Sequence, residues 1–308
     1  MKNLAVLACA GALAFAVAAH AETRPAITGV SHIAVYSADL AKSEAFYTHD
    51  LGATKGRDPE NAAGTRYYFS PSQFVEVLPL PADAGVNRLD HVAFATTDAE
   101  GLRSYLVAHK IAAPAKLSKG ADGSLWFDVL DPEGNRVQFV QASATPVTVA
   151  SNPLSPHIIH VGYIIHSRAR EDAFFRDVLG FKPYWYGGFK EDVPTWVSQQ
   201  VPDGHDWLEY MIAGDADGKG IPAGMPQQTA GALNHFSLGV SSVETAYTTL
   251  WTGDRLDGQA PDALPKIGRD AKWQLNLIDP DGTRAEVMEF HAVGKPCCSP
   301  FTATDPDK

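Results

Sequence analysis

The sequence predicts an α+β fold built from four consecutive βαβββ units. Short apolar segments typical of strands begin at four histidines, which are 59, 69 and 75 residues apart (His32, His91, His160 and His235). Each of these strands is followed by polar capping residues and then by a segment with helical periodicity. In the second and fourth units, a tight turn of the same sequence type joins the last two strands.

Start and stop signals place the four helices. The predicted N-caps lie at residues 37–39 and 97–98, at Ser167 and at Ser242. Gly52 and Gly180 closely follow the first and third helices, as is typical of a helix C-terminus. The fourth helix has one apolar face with the spacing i, i+3, i+4, i+7, formed by Val243, Ala246, Tyr247 and Leu250.

The two tight turns complete the units and divide the chain. Residues 131–134 and 279–282 both read Asp-Pro-acid-Gly, which suits a type I turn with proline second and glycine fourth. We therefore predict a first half, a Pro-containing linker, a second half and a polar tail. Their boundaries are residues 22–143, 144–156, 157–292 and 293–308. We expect the tail, which contains three prolines, to be extended or loose.

Alternation along the strands predicts which side chains share a face. His160, Gly162 and Ile164 lie on one face of their strand, whereas the bulkier face should pack on the helix. In the strand that closes the third unit, Glu209 shares its face with Trp207. Each unit is therefore expected to present a histidine and a polar side chain on the concave, helix-free face of a curved sheet.

Composition and charge exclude several classes of partner. The chain is 45% hydrophobic and 20% charged, which indicates a globular protein. The net charge is −11, or −12 without residues 1–21, which contain one lysine and no acid. An acidic chain without a cluster of basic residues is a poor match for nucleic acid or an anionic membrane surface.

The first 21 residues have the pattern of a secretory signal. Lys2 is followed by an apolar, alanine-rich segment, and Ala-His-Ala at residues 19–21 fits a cleavage site. The segment is short for a membrane anchor, which is the alternative interpretation. We predict an exported protein, periplasmic or extracellular after cleavage near Ala21. The two cysteines that remain, Cys297 and Cys298, are adjacent; we expect them to stay free or to pair with another chain.

The four-unit pattern resembles the vicinal oxygen chelate superfamily, which includes glyoxalase I, bleomycin-resistance proteins and type I extradiol dioxygenases. The resemblance rests on the strand-initial histidines, on the segments Phe-Tyr-Thr-His-Asp-Leu-Gly (46–52) and Phe-Phe-Arg-Asp-Val-Leu-Gly-Phe (174–181), and on the two turns. Gln138 and Glu286 follow the aspartates of those turns by seven residues. The resemblance covers about residues 29–292 and implies that each pair of units forms a cup-shaped half-barrel.

The resemblance also implies a metal site in each cup. In the second cup the ligands would be two histidines and two glutamates (His160, Glu209, His235 and Glu286). In the first cup they would be His32, Glu76, His91 and Gln138, with an amide in place of one carboxylate. Two carboxylates neutralise a divalent cation, so we place one divalent ion (Zn, Ni, Co, Mn or Fe(II)) in the second cup. The first cup has one carboxylate, Glu76, so a divalent ion there would keep one uncompensated positive charge.

Three functions are compatible with this resemblance. The first is a glyoxalase-like lyase or isomerase, in which the metal binds vicinal oxygens of a small aromatic or hydroxycarbonyl substrate and Glu286 or Glu209 moves a proton. The second is an Fe(II) extradiol-type dioxygenase, although Asn276 stands where that family has a tyrosine. The third is a non-catalytic binding protein of the bleomycin-resistance type. The predicted pocket walls are Trp207, Trp196 and Trp185; a homodimer is left open.

Overall fold

The computed structural model describes residues 23–214 and 218–307. In this part of the chain, sixteen strands form two eight-stranded sheets, and five short helices accompany them. The predicted signal segment at residues 1–21 lies outside the described residues and stays a prediction. Within the described residues, no helix combines the length and apolar character that crossing a bilayer requires.

The strands fall into two sets of eight. The first set is β1 (Ile27–Ser37), β2 (Thr54–Arg57), β3 (Thr65–Tyr68), β4 (Phe74–Pro79), β5 (Leu89–Thr96), β6 (Ser118–Lys119), β7 (Leu125–Leu130) and β8 (Arg136–Gln141). The second set is β9 (Ile158–Ile165), β10 (Lys182–Gly187), β11 (Trp196–Gln200), β12 (Trp207–Ile212), β13 (His235–Val240), β14 (Lys266–Ile267), β15 (Trp273–Ile278) and β16 (Arg284–Glu289). The helices are α1 (Leu40–Ala45), α2 (Ala99–Ala108), α3 (Arg168–Asp172), α4 (Gln227–Leu233) and α5 (Val243–Thr252).

The two sheets have the same strand order. The first runs β2-β3-β4-β1-β5-β8-β7-β6, and the second runs β10-β11-β12-β9-β13-β16-β15-β14. Units one and two therefore share a sheet, as do units three and four, which confirms the predicted α+β fold with two cups. In each sheet the four central strands are the first and last strands of its two units. These are the strands that carry the predicted ligands.

The local signals for the helices are confirmed. Each predicted cap accepts a hydrogen bond from the backbone N–H three residues further on; the caps are Asp39, Asp98, Ser167 and Ser242. Helices α1 and α3 continue into π-helical turns, Phe46–Asp50 and Ala173–Val178. Gly52 and Gly180 then end these helices with φ of 71° and 77°, a conformation that favours glycine. Helix α4, which the sequence pattern did not predict, packs against β9 and β16.

The two halves share one apolar core. Phe236 of the second half lies 6.5 Å from Tyr47 and 6.0 Å from Phe69, measured between ring centroids. Phe94 of the first half likewise contacts Phe175 and Phe181 of the second half. Burial of these rings stabilises the contact between the halves.

Each Asp-Pro-acid-Gly turn also forms hydrogen bonds with the opposite half. The turn hydrogen bonds join the glycine N–H to the aspartate C=O, at 3.1 Å in the first half and 3.0 Å in the second. The acid in the first turn, Glu133, accepts the backbone N–H groups of His166 and Ser167 at 2.7 and 2.6 Å. In the second turn, Asp281 accepts the N–H of Ala38 at 2.9 Å. Both acids therefore satisfy backbone donors just after the first strand of the opposite half.

The sequence left the tail as extended or loose, and the structure holds it against the second half. The Thr302 N–H donates to the Tyr184 carbonyl at 2.9 Å, and the Gln200 amide donates to the Thr304 carbonyl at 2.8 Å. Phe301 packs on Tyr184 with 4.9 Å between ring centroids. The expectation for the two cysteines is wrong, because the structure joins Cys297 and Cys298 to each other in a disulfide.

A buried lysine holds the tail, and we predict that replacing it is costly. Lys272 is fully buried, and its Nζ donates to the Phe290 carbonyl, the Tyr184 hydroxyl and Asp305 at 2.7, 3.0 and 3.0 Å. Lys272→Met removes these three hydrogen bonds from a buried site and leaves the Phe290 carbonyl without its side-chain donor, so it should lower the free energy of unfolding by about 3 kcal/mol. Urea unfolding followed by circular dichroism measures the loss. Lys295→Met, at an exposed tail position, is the control; equal midpoints for both variants would contradict the prediction.

Candidate metal centre

The second cup brings its two predicted histidines together edge to face. His160 lies in β9 and His235 begins β13, and both side chains are fully buried. Their Nε2 atoms are 3.0 Å apart. Antiparallel pairing of the strands sets His235 opposite Gly162, two residues after His160, so both rings reach the same face.

The two predicted glutamates complete the cluster. Glu286 places Oε2 3.3 Å from Nε2 of His160, and Glu209 places Oε2 3.4 Å from Nε2 of His235. His160, His235 and Glu286 each offer a ligand atom within 4.8 Å of the others. Glu209 is not part of that trio, but it contacts His235, which is. The structure therefore brings together the four residues that the sequence pattern singled out.

These donors fit a divalent cation. Nδ1 of His235 lies 2.8 Å from the Leu233 carbonyl, which can only accept, so neutral His235 directs the lone pair of Nε2 into the cup. Neighbouring ligands about one ion lie roughly 3.0–3.4 Å apart when each bond is near 2.1 Å, and the observed separations fall in this range. Two neutral imidazoles and two carboxylates balance the charge of the ion.

A glycine makes room for the second histidine. A Cβ at Gly162 would lie 2.7 Å from Nδ1 and 3.0 Å from Nε2 of His235, which is too close for either atom. Gly162 also pairs with Glu209 in the neighbouring strand, so the missing side chain stands between two of the four donors. The sequence pattern identified Gly162 as a small residue on this face but not as a requirement of the site.

Electrostatics keep the carboxylates ionised. Burial acts to raise the pKa of Glu286, but Arg284 and the hydrogen bond from His160 outweigh it and lower the pKa to about 2. For Glu209, burial is likewise outweighed by the hydrogen bond with His235 and by the charge of His160, so its pKa is also lowered. Burial, with the charge of Arg284, lowers the pKa of His235 to about 4. Near neutral pH these three groups are therefore in the protonation states that bind a metal.

A cavity of about 400 Å³ opens onto the two glutamates. Trp185, Phe189 and Trp196 form its aromatic wall, so two of the three predicted tryptophans lie where the sequence placed them. Trp207 is elsewhere: it is buried and stacks on the His160 ring with 4.6 Å between centroids. It packs on His160, a predicted ligand, rather than facing the cavity.

Sequence reasoning missed the polar groups of the cavity that come from loops and from strands of the fourth unit. These side chains are Lys266, Arg269, Asp270 and Arg284. Burial, followed by the charges of Glu286 and Glu209, raises the pKa of Asp270 to about 7, although the N–H of Lys272 opposes this shift. Asp270 lies in the loop before β15, where no periodic pattern could have identified it.

Four histidines have no partner acid or amide in a closing strand, and the structure gives them other contacts. His157 pairs with Asp206 at 2.7 Å, and buried His166 contacts Glu133 at 3.1 Å. His291 is exposed and contacts Asp305 of the tail, whereas exposed His205 lies 3.4 Å from the Thr304 carbonyl. None of these four belongs to a metal-compatible cluster in the described parts of the chain.

The first cup repeats the histidine pair of the second. Nε2 of His32 and Nε2 of His91 are 2.9 Å apart, and the ring centroids are 5.0 Å apart at 80°, the same values as for His160 and His235. Glu76 lies 3.6 Å from His32. Gln138 occupies the position of Glu286, and its amide donates to Glu60 at 3.0 Å. The sequence pattern missed Glu60 because it lies in the loop between β2 and β3.

Comparisons with known proteins agree with this architecture. Residues 29–139 match the model of the Glyoxalase/Bleomycin resistance protein/Dioxygenase superfamily. The search of curated proteins gives no match. Among solved structures, the substrate complex of homoprotocatechuate 2,3-dioxygenase from Brevibacterium fuscum with 3,4-dihydroxyphenylacetate is 16% identical with a TM-score of 0.63, covering 87% of this chain and 82% of that one.

Two further structures have the same fold. The Mn(II)-bound glyoxalase from Novosphingobium aromaticivorans is 17% identical with a TM-score of 0.62, covering 86% of this chain and 83% of that one. The 2,3-dioxygenase LapB from Pseudomonas sp. KL28 is 15% identical with a TM-score of 0.61, covering 87% and 93%. The match to the superfamily model thus covers residues 29–139 of the first half, and the second half has the same strand order.

Proposed function

We propose that the second cup is the active site of a metal-dependent, glyoxalase-like lyase or isomerase. The observation that carries this proposal is the position of Glu209. It is a carboxylate with 13% of its side chain exposed, which lines the cavity, adjoins the metal-compatible trio and is not part of it. A carboxylate in that position suits transfer of a proton next to a carbonyl group.

The residues have separate roles in this proposal. His160, His235 and Glu286 would hold the divalent ion, with Glu209 beside them. The ion would supply Lewis acidity toward two neighbouring oxygens of the substrate. Glu209, ionised near neutral pH, accepts the proton from the substrate carbon. Asp270, whose pKa is near 7, is a second carboxyl in the same cavity that can donate or return a proton.

The cavity favours a small anionic aromatic substrate. Its aromatic side chains provide a wall for a flat ring, and Lys266, Arg269 and Arg284 bring three positive charges. Once the ion neutralises Glu209 and Glu286, Asp270 is the negative side chain left among the lining residues of the described chain. The structural neighbour with 3,4-dihydroxyphenylacetate, an aromatic carboxylate, supports including such compounds in a screen.

A ring-cleaving dioxygenase is the second candidate. Two histidines and one carboxylate form the ligand trio of Fe(II) oxygenases, and this chain has such a trio in His160, His235 and Glu286. Against it, Asn276 pairs with Glu286 where the resembling family has a tyrosine. As far as the described residues form them, the cavity walls contain neither tyrosine nor histidine for proton transfer to a phenol.

The experiment combines metal analysis with two activity screens. The protein is purified without chelators, and bound metal is measured by elemental mass spectrometry in the wild type, in His235→Ala and in His205→Ala as an exposed-histidine control. We expect one equivalent to be lost in His235→Ala alone. Hydroxycarbonyl and aromatic hydroxy-acid compounds are then incubated in D₂O and followed by NMR for loss of the proton next to the carbonyl.

Each result discriminates between the functions. Exchange or isomerisation that depends on His235 supports the lyase or isomerase. Oxygen consumption with 3,4-dihydroxyphenylacetate, together with bound iron, would replace it by the dioxygenase. Absence of metal in the second cup even after reconstitution would refute both enzymes and leave a small-molecule binding protein.

A further inference from the structure

We propose that Arg284 binds a carboxylate group of the substrate in the second cup. Arg284 lies in β16, and its side chain lines the cavity of about 400 Å³ together with the two glutamates. The inference rests on the proposed function and deepens it, because it assigns one group of the substrate to one side chain. The reason for choosing this arginine comes from the other half of the chain, whose sheet has the same strand order.

Arg136 is the counterpart of Arg284 in the first half. It begins β8 as Arg284 begins β16, and each of these strands pairs in parallel with the strand that carries the second histidine of its cup. Each arginine also lies two residues before the closing-strand ligand position, which is Gln138 in one cup and Glu286 in the other. The two arginines therefore occupy equivalent places in the two sheets.

Two aspartates neutralise the arginine of the first half. The Arg136 guanidinium contacts the Asp90 carboxylate, and its Nη1 lies 3.9 Å from the Asp128 carboxylate. Its Nη2 is also 3.1 Å from Nδ1 of His91. Because protein carboxylates already compensate its charge, Arg136 is not available to an anionic ligand.

Asparagines stand in place of both aspartates in the second half. Asn234 is the residue before the second histidine of its cup, which is the position of Asp90 in the first half. Asn276 pairs with the closing-strand ligand across the strands, as Asp128 does in the first half. An amide carries no charge, so the exchange removes two negative charges from the surroundings of Arg284.

Arg284 makes no hydrogen bond within the described parts of the chain. Its Nε is buried without a partner, and the Glu286 carboxylate lies 3.8 Å from its Nη1, beyond hydrogen-bond distance. The Asn234 side chain is engaged elsewhere, since it accepts the Ile164 N–H and donates to Asn87, both at 3.1 Å. A largely buried guanidinium without a hydrogen-bonded anion is costly, and a carboxylate that enters the cavity would supply that partner.

The other two cations of the cavity are less suited to this role. Nε of Arg269 donates to the Gly188 carbonyl at 3.1 Å, and its Nη2 contacts Sγ of Cys297 at 2.9 Å. Lys266 is exposed on the edge strand β14. The side chain of Arg284 is 16% exposed, and its planar guanidinium can bind both oxygens of one carboxylate. With the aromatic wall, this arrangement favours aromatic carboxylates over their neutral analogues.

The test compares a carboxylate with its neutral amide. Phenylacetate and phenylacetamide have nearly the same shape, and neither carries oxygens on neighbouring carbons that could chelate an ion. Tryptophan fluorescence titrations of the full chain, purified without chelators, give Kd for each compound, and metal content is measured on the same samples. We expect the wild type to bind phenylacetate at least tenfold more tightly than phenylacetamide. Arg284→Met should lose this preference, whereas Lys182→Met, at an exposed position of β10, should keep it.

A second variant leaves the arginine in place. Asn234→Asp restores the residue of the first half, so the new carboxylate should pair with Arg284 and abolish the preference, with little change in the affinity for phenylacetamide. A preference that is absent from the wild type, or that is retained in Arg284→Met, overturns the inference.

The second variant also decides the case in which Arg284→Met fails to fold or loses an ion. Loss of the preference in Asn234→Asp with unchanged metal content then supports the inference, and a retained preference overturns it. An Arg284-dependent preference in protein that binds no metal even after reconstitution keeps the inference and refutes the metal centre of the proposed function. The two failures are therefore distinguishable.

Discussion

Replacing Glu171 by glutamine should stabilise the protein at alkaline pH, by up to about 4 kcal/mol at pH 8. Glu171 lies in α3, is fully buried, and neither of its carboxyl oxygens has a hydrogen-bond partner in the described chain. Burial, followed by the negative charges of Asp131 and Glu133, raises its pKa to about 9. One pKa unit corresponds to about 1.4 kcal/mol, so ionising this group strongly disfavours the folded state.

The direction of the pH dependence follows from linkage. The folded state binds the Glu171 proton more tightly than the unfolded state, so this stabilisation is complete below the unfolded pKa of about 4.5 and is lost as pH rises toward 9. Urea midpoints at pH 5, 7 and 8 measure the effect. The variant should gain stability over the wild type as pH rises, with little difference at pH 5. Glu191→Gln, an exposed control, should show no such trend; a gain independent of pH would contradict the stated cause.

Local signals were sufficient to predict the four capped helices, whereas the pairing of the units into two cups was implied by the family resemblance. The caps at Asp39, Asp98, Ser167 and Ser242 act through hydrogen bonds to residues three positions away, so a short window of sequence contains them. The ligand strands were predictable for a different reason. A histidine at the start of a strand and an acid in the closing strand lie on one face by alternation alone, and the repeat shows which pairs correspond.

Contacts between distant loops could not be predicted in this way. Glu60 enters the first cup from a loop, and its partner Gln138 is 78 residues away, so no period in the sequence links them. The tail depends on Lys272, whose ammonium group contacts Tyr184 of the second half and Asp305 of the tail. The sequence predicts that a lysine in that position is exposed, because its burial becomes favourable only when three acceptors converge on it.

Replacing Glu209 by glutamine should separate proton transfer from metal binding. Glu209 lines the cavity with 13% of its side chain exposed, whereas Glu286 is 3% exposed and belongs to the trio with His160 and His235. We therefore expect Glu209→Gln to retain the ion of the second cup and to lower kcat by about 10³-fold, the scale of a general base. The corresponding Glu286→Gln should lose the ion and its activity together.

The measurement uses the substrate identified by proton exchange, with metal content determined on the same samples. Asp270→Asn is the matched control, because it removes a second carboxyl from the same cavity without touching the trio. If Glu209→Gln keeps both metal and kcat while Asp270→Asn loses kcat, the base is Asp270. If Glu209→Gln loses the ion, Glu209 is a required ligand rather than the base. A 10³-fold loss of kcat with the metal retained and KM little changed places Glu209 in the proton-transfer step, since an interaction that acts only in the transition state affects kcat rather than binding.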